Sequence, residues 1–250
     1  MNMEKVKVIR SLISTGSFND FINAIFDLSE KQLSSYVCFA NVHMVIEAYQ
    51  DKSFNEIVNK ADLVAPDGRP ISLAIKLFDK INQERVAGMD LMPALLAEAE
   101  KRNKSVYFYG STEDVLAKIR AKIHQDFPKL RIAGTYSPPF RPLSEEEDQA
   151  VIQQINDTKP DLLFVSLGCP KQEKWMAAHI GKINACMLGV GQAFLTYTGL
   201  EKRLPKWARD WSLEWAYRLY LEPKRLWKRY LVGNSLFLFF IFKRLISGNY

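Results

Sequence analysis

Asp67 is the acid best placed in the sequence to move a proton. It follows the run Ala61 to Ala65 in the turn Pro66-Asp67-Gly68, and such a turn projects a side chain from a strand end. A carboxylate held there, partly withdrawn from water, can accept a proton near neutral pH. The same turn equally suits an aspartate that only bonds its own backbone, and spacing does not choose between the two. Other polar or glycine-rich positions fall just past apolar runs: Asn41, Gly110-Ser111, Gly168 to Glu173, and Gly189 to Ala193. Glycine turns at Gly110, Gly168, Gly189 and Gly191 can bare backbone N–H groups to a phosphate at a helix start, or serve only as tight turns. Arg85, in Glu84-Arg85-Val86-Ala87-Gly88, is a candidate clamp for a phosphate or carboxylate. Pro170 suits a first helical position. That would turn Lys171 and Gln172 toward the strand ends and leave Glu173 as a clamp on the cap.

Several chemistries lack their residues. Gly189-Val190-Gly191 falls short of the dinucleotide fingerprint, and there is no phosphate-binding Gly-x-x-x-x-Gly-Lys loop. There is no Asp-x-Asp pair and no Gly-x-Ser-x-Gly elbow. His43, His124 and His179 are scattered, and Cys38 and His43 have no partners at zinc spacing, so no metal site is expected. The run Glu145 to Asp148 reads as a solvated helix start. Three cysteines without tight spacing suit a reducing compartment.

The elements that must position these residues alternate. Strand-like runs lie at 36–40, 61–65, 105–109, 131–135, 161–167 and 185–190. Helical patterns lie near 44–48, 70–79, 90–102 and 144–156. Ser111 and Asp114 resemble a capping box opening a further helix. Strand–helix alternation at this spacing predicts a Rossmann-like α/β fold: a mostly parallel sheet with helices on both faces. In such sheets ligands bind at the carboxyl ends of the strands, where the candidates above lie.

Near residue 200 the pattern changes, which predicts a catalytic domain over 1–200 and a helical appendage over 201–250. The appendage has eleven Lys or Arg against four Asp or Glu, a net +7, whereas residues 1–200 are near neutral. It also holds Trp207, Trp211, Trp215 and Trp227 and the apolar run Leu236 to Phe242. Two helices broken at Glu222-Pro223 are predicted. Arg218, Arg225 and Arg229 are spaced to share a face, and clustered guanidiniums suit a diphosphate. Packing of the tryptophans on the body, with the arginines in water, is the alternative. The chain has no run of eighteen consecutive apolar residues, so a spanning helix is not expected. An anionic partner is expected, either a phospholipid interface or a nucleic acid. A nucleotide-dependent oxidoreductase is a third reading, which the incomplete fingerprint disfavours.

From about residue 36 to 234 the chain resembles the bacterial WecG/TagA/CpsF glycosyltransferases. The resemblance rests on Asn41, Ala65-Pro66-Asp67-Gly68, Arg85-Val86-Ala87-Gly88, Leu167-Gly168-Cys169-Pro170-Lys171-Gln172-Glu173 and Gly189-Val190-Gly191. It continues in Leu204-Pro205-Lys206-Trp207, Glu214-Trp215-Ala216-Tyr217-Arg218, Glu222-Pro223-Lys224-Arg225-Leu226 and Arg229-Tyr230-Leu231. It implies an inverting transferase that takes a sugar from a nucleotide-diphosphate donor. The acceptor would be a polyprenyl-diphosphate-linked sugar, at the inner face of the cytoplasmic membrane. It implies Asp67 as base, Asn41, Arg85 and Gln172 in the pocket, and Arg218, Arg225 and Lys228 or Arg229 on the lipid diphosphate. No metal cofactor and no nucleic acid are expected, and a homo-oligomer stays open. Phe39 stands where many members carry Thr, which removes a hydroxyl and favours a different donor sugar.

Overall fold

The computed structural model describes residues 3–202, 204 and 214–248, without the side chains of Glu214, Trp215, Arg218, Arg225, Lys228 and Arg229. The chain opens with an antiparallel hairpin, β1 (Lys5–Val8) and β2 (Ser11–Ser14), then α1 (Phe18–Glu30). Next come β3 (Ser35–Ala40), α2 (Val42–Gln50), α3 (Lys52–Lys60), β4 (Leu63–Pro66), α4 (Arg69–Asp79) and α5 (Gly88–Lys101). They are followed by β5 (Ser105–Gly110), α6 (Glu113–Asp126), β6 (Arg131–Tyr136), α7 (Glu145–Thr158) and β7 (Leu162–Ser166). The chain continues through α8 (Lys171–Ala178), β8 (Cys186–Gly189) and α9 (Ala193–Tyr197) to α10 (Glu214–Leu221) and α11 (Pro223–Ser247).

Six strands form one parallel sheet in the order β4-β3-β8-β7-β5-β6. Every residue of β3, β5 and β8 is buried, as a parallel sheet covered on both faces requires. Alternation divides the core in two. Cys38, Ala40, Tyr107, Tyr109, Leu163 and Val165 face α2, α3, α4, α7 and α8. Val37, Phe39, Val106, Phe108, Leu162 and Phe164 face α1, α5, α6 and α9. This is the expected α/β architecture.

Some local expectations are corrected. Ser111 does not cap α6. Its φ of 62° lies in the left-handed region and its N–H is taken by Ser166 O at 3.1 Å. Thr112 is the cap residue, without a side-chain bond. Pro170 precedes α8 as its cap residue rather than opening it, after a cis Cys169–Pro170 peptide bond. The hairpin, α1 and α3 were not foreseen. The signal for α1 was present in Ser17 and Asp20, which form a reciprocal capping box. The acidic start of α7 is capped by Ser144 and Glu147 and is largely exposed.

The break between α10 and α11 falls at Glu222, as predicted. Helix α11 is apolar on two sides. Leu226, Phe237 and Phe240 are buried, and the Phe240 ring meets Tyr49 of α2 at 4.3 Å. Leu231, Leu238, Phe239, Phe242, Leu245 and Ile246 face outward, Ile246 being 86% exposed. Tyr230–Ser247 is long and apolar enough to cross a membrane by length and composition, with mean hydropathy 1.4 and 17% of it buried. Lys, Arg, Ser and Asn interrupt the apolar run without lowering its mean below that of such a helix.

Candidate active site

Parallel strands bring their carboxyl ends to one edge, and the backbone shows which ends touch. Asp67 donates its N–H to Ala40 O at 2.9 Å, the residue before Asn41. Val86 donates to Pro66 O at 2.9 Å, which brings Arg85 to the same turn. Asn41, Asp67 and Arg85 are therefore neighbours along the backbone bonds at the ends of β3 and β4. A Cβ on Gly88 would meet both Phe39 and Val190 at 3.6 Å. The end of β8 thus closes against the start of α5, and Gln172 joins that end by donating to Gly189 O at 2.6 Å.

Three helices begin at this edge. Asn41 caps α2, its Oδ1 accepting from Met44 N at 3.1 Å. Gly68 precedes α4 and Ala87 precedes α5. Helix N-termini favour negative charge, and those of α4 and α5 start beside the half-buried Asp67 turn. Arg85 donates from Nη2 to Asp90 Oδ2 at 2.7 Å, which orients the guanidinium over the first turn of α5.

Of the two readings open for the glycine turns, the tight-turn one describes their bonding. The Gly168 N–H donates to Gln172 Oε1 at 3.2 Å, the Gly191 N–H to Val165 O at 3.3 Å and the Ser111 N–H to Ser166 O at 3.1 Å. These amides are spent inside the protein. Gly110 and Gly189 serve close packing instead: a Cβ on Gly110 would lie 2.4 Å from Ser166 O, and one on Gly189 would lie 2.8 Å from Met176 Cε.

Gln172 lies at the strand ends, as expected, and is buried there, while Lys171 is exposed. Its amide is a clasp: Nε2 donates to Gly189 O and to Glu173 Oε1 at 2.8 Å, and Oε1 accepts from Gly168 N. The turns after β7 and β8 and the buried Glu173 are thereby tied together by one side chain.

Glu173 was read only as a cap and is wholly buried. Its Oε2 has no oxygen or nitrogen donor among the described residues. Burial pushes its carboxyl up to about 7, against the pull of the Gln172 amide and the Cys169 thiol. The sign follows directly. Between about pH 4.5 and about 7 the folded state keeps a proton that the unfolded chain has released, so stability falls as pH rises through this window. The whole fall amounts to about 3 kcal/mol. Glu173→Gln should flatten it, read as denaturant midpoints at pH 5 to 7.5; an unchanged slope would assign the pH dependence elsewhere.

Phe39 is 4% exposed and packs in the core against α5. Among the described residues no three His, Cys, Asp or Glu side chains converge as metal ligands. The side chains of Arg218, Arg225, Lys228 and Arg229 lie outside the described residues; their backbones belong to α10 and α11.

Sequence comparison decides the family. The profile of the WecG/TagA/CpsF glycosyl transferase family matches residues 6–249. This chain belongs to the WecG/TagA/CpsF family. It is a glycosyltransferase, which sets aside the nucleic-acid-binding and oxidoreductase readings of its function. Among its relatives is the N-acetylglucosaminyldiphosphoundecaprenol N-acetyl-beta-D-mannosaminyltransferase of Bacillus subtilis, 31% identical over 86% of this chain and 81% of that protein. The protein of the same name from Bacillus spizizenii is 33% identical over 81% and 77%. That from Staphylococcus aureus strain NCTC 8325 is 28% identical over 76% and 74%.

Proposed function

We propose that this glycosyltransferase moves a sugar from a nucleotide-diphosphate donor to a polyprenyl-diphosphate-linked sugar, with inversion, at the inner face of the cytoplasmic membrane. The acceptor class follows the names of the relatives. The observation that carries the reading is the Asp67 turn, set where α2, α4 and α5 begin and beside Arg85.

In this reading Asp67 takes the proton of the acceptor hydroxyl. The freed oxygen attacks the anomeric carbon on the face opposite the nucleotide, and the carbon–oxygen bond to the diphosphate breaks. The leaving diphosphate is met by the helix N-termini and Arg85. We assign no metal to the reaction. Arg218, Arg225 and Lys228 or Arg229 hold the acceptor's diphosphate, because guanidiniums bond two oxygens at once. The outward face of α11 meets the membrane in which that acceptor resides. The preference for a donor other than N-acetylmannosamine rests only on Phe39 standing where many members of the family carry Thr, since its ring packs in the core.

A panel of nucleotide sugars, each with a short-chain prenyl-diphosphate N-acetylglucosamine and with or without a metal chelator, tests the reading. One donor should release nucleotide only when acceptor is present, and the chelator should leave the rate unchanged. Hydrolysis without acceptor extension for every donor would overturn the acceptor assignment, and loss of rate in chelator would overturn the metal-free one.

A further inference from the structure

A second site lies at the other end of α2. A pocket of about 360 Å³ opens between the hairpin, the end of α2 and the last turns of α11. Tyr49, on its wall, is eight residues beyond Asn41 and so about 12 Å along the helix from the Asp67 edge. Lys7, Arg10, Lys243 and Arg244 line it around Tyr49 and the buried Phe240.

Both guanidiniums are held in place. Arg10 donates to Tyr49 O at 3.1 Å and lies 4.4 Å over the Tyr49 ring. Arg244 donates to Lys7 O at 3.2 Å and lies 4.2 Å over Phe78, with Asp79 at 3.7 Å. Among the described residues no carboxylate is paired with Lys7, Arg10 or Lys243. Among the described residues Arg244 has Asp79 beside it, and three further cations line the same open cavity. Like charges at close quarters repel, and an anion in the pocket relieves that repulsion. With both guanidiniums already fixed, little ordering is left for the ligand to impose.

The same helix says which anion. Leu238, Phe242 and Leu245 recur at helical spacing on the outward side of α11, with Phe239 and Ile246 beside them. Lys243 follows Phe242 directly and flanks this stripe. A helix whose apolar side enters the acyl boundary holds its flanking cations at headgroup depth.

We propose that Lys7, Arg10, Lys243 and Arg244 seat the headgroup phosphate of an anionic phospholipid while the outward stripe of α11 enters the acyl boundary. The inference rests on the membrane-surface part of the proposed function, and it adds a lipid site built jointly by the N-terminal hairpin and the last helix.

The full chain is sedimented with vesicles of phosphatidylcholine alone and with added phosphatidylglycerol. Lys7→Ala/Lys243→Ala is compared with Lys118→Ala/Lys129→Ala, which removes the same charge from exposed positions in α6 and just after it. Thermal melts check that all are folded. Wild type should prefer the phosphatidylglycerol vesicles. The pocket variant should lose roughly 20-fold in affinity for them, and the α6 variant little. Equal losses in the two variants, or equal wild-type binding to both vesicles, would overturn the pocket while keeping the membrane. No wild-type binding to either vesicle would overturn the membrane reading itself, and the pocket with it. Titration with short-chain soluble phosphatidylglycerol and with inorganic phosphate separates the two sources of phosphate. Inorganic phosphate binding as tightly as the lipid would assign the pocket to a free anion and overturn the headgroup proposal.

Discussion

Asp67→Asn should lower turnover by roughly 10²–10⁴-fold, the usual worth of a general base. The substitution is nearly isosteric. The backbone of residue 67 is held by its own N–H to Ala40 O at 2.9 Å, a bond the side chain does not share. Folding should therefore persist, and a thermal melt should show it. An amide cannot take up the acceptor proton, so the loss should appear in kcat and in kcat/KM alike. Loss confined to KM would instead make Asp67 a binding group. A near-normal rate would remove it from the chemistry.

The second large effect is expected at Gln172, and it is of a different kind. Gln172→Ala strands the Gly189 carbonyl, the Gly168 N–H and the Glu173 carboxylate together. Each buried polar group left without its partner costs about 1–3 kcal/mol. The three share one clasp, so their costs do not add fully; a net loss of about 3–5 kcal/mol is expected in denaturant melts. Activity should fall with it, because the turns after β7 and β8 lose their register. A variant as stable as wild type but inactive would show that the amide serves the substrate directly, against the clasp seen here.

Much of the fold was legible because its strands are buried on both faces. Runs such as Tyr36 to Ala40 and Leu162 to Val165 are apolar almost throughout and are punctuated by Asn, Gly or Pro. The hairpin was not legible. Lys5 to Ser14 mixes charge with apolar residues, and its pairing is completed by distant groups: Lys5 Nζ donates to Ala61 O and Leu12 N to Asn59 Oδ1. No local window contains those partners.

At the candidate site, residue type pointed to Asn41, Asp67 and Arg85, because each follows a strand or stands before a helix that begins at this edge. Residue type did not disclose the burial of Gln172 and Glu173. Both stand at a helix start, and only the approach of β8 through Gly189 explains why they are enclosed. The glycine turns left two readings open. Gly110 and Gly168 signal an unusual backbone, but sequence cannot tell an amide offered to a ligand from one already bonded inside.

The account stands on a single displacement at the anomeric carbon, driven by a base and without a covalent sugar–enzyme intermediate. The anomeric configuration of the new linkage, read by NMR on the product of the active donor, tests this most directly. An α-linked nucleotide sugar should give a β-linked product. An α-linked product would mean retention, which a single opposite-face displacement cannot give, and would contradict the role given to Asp67.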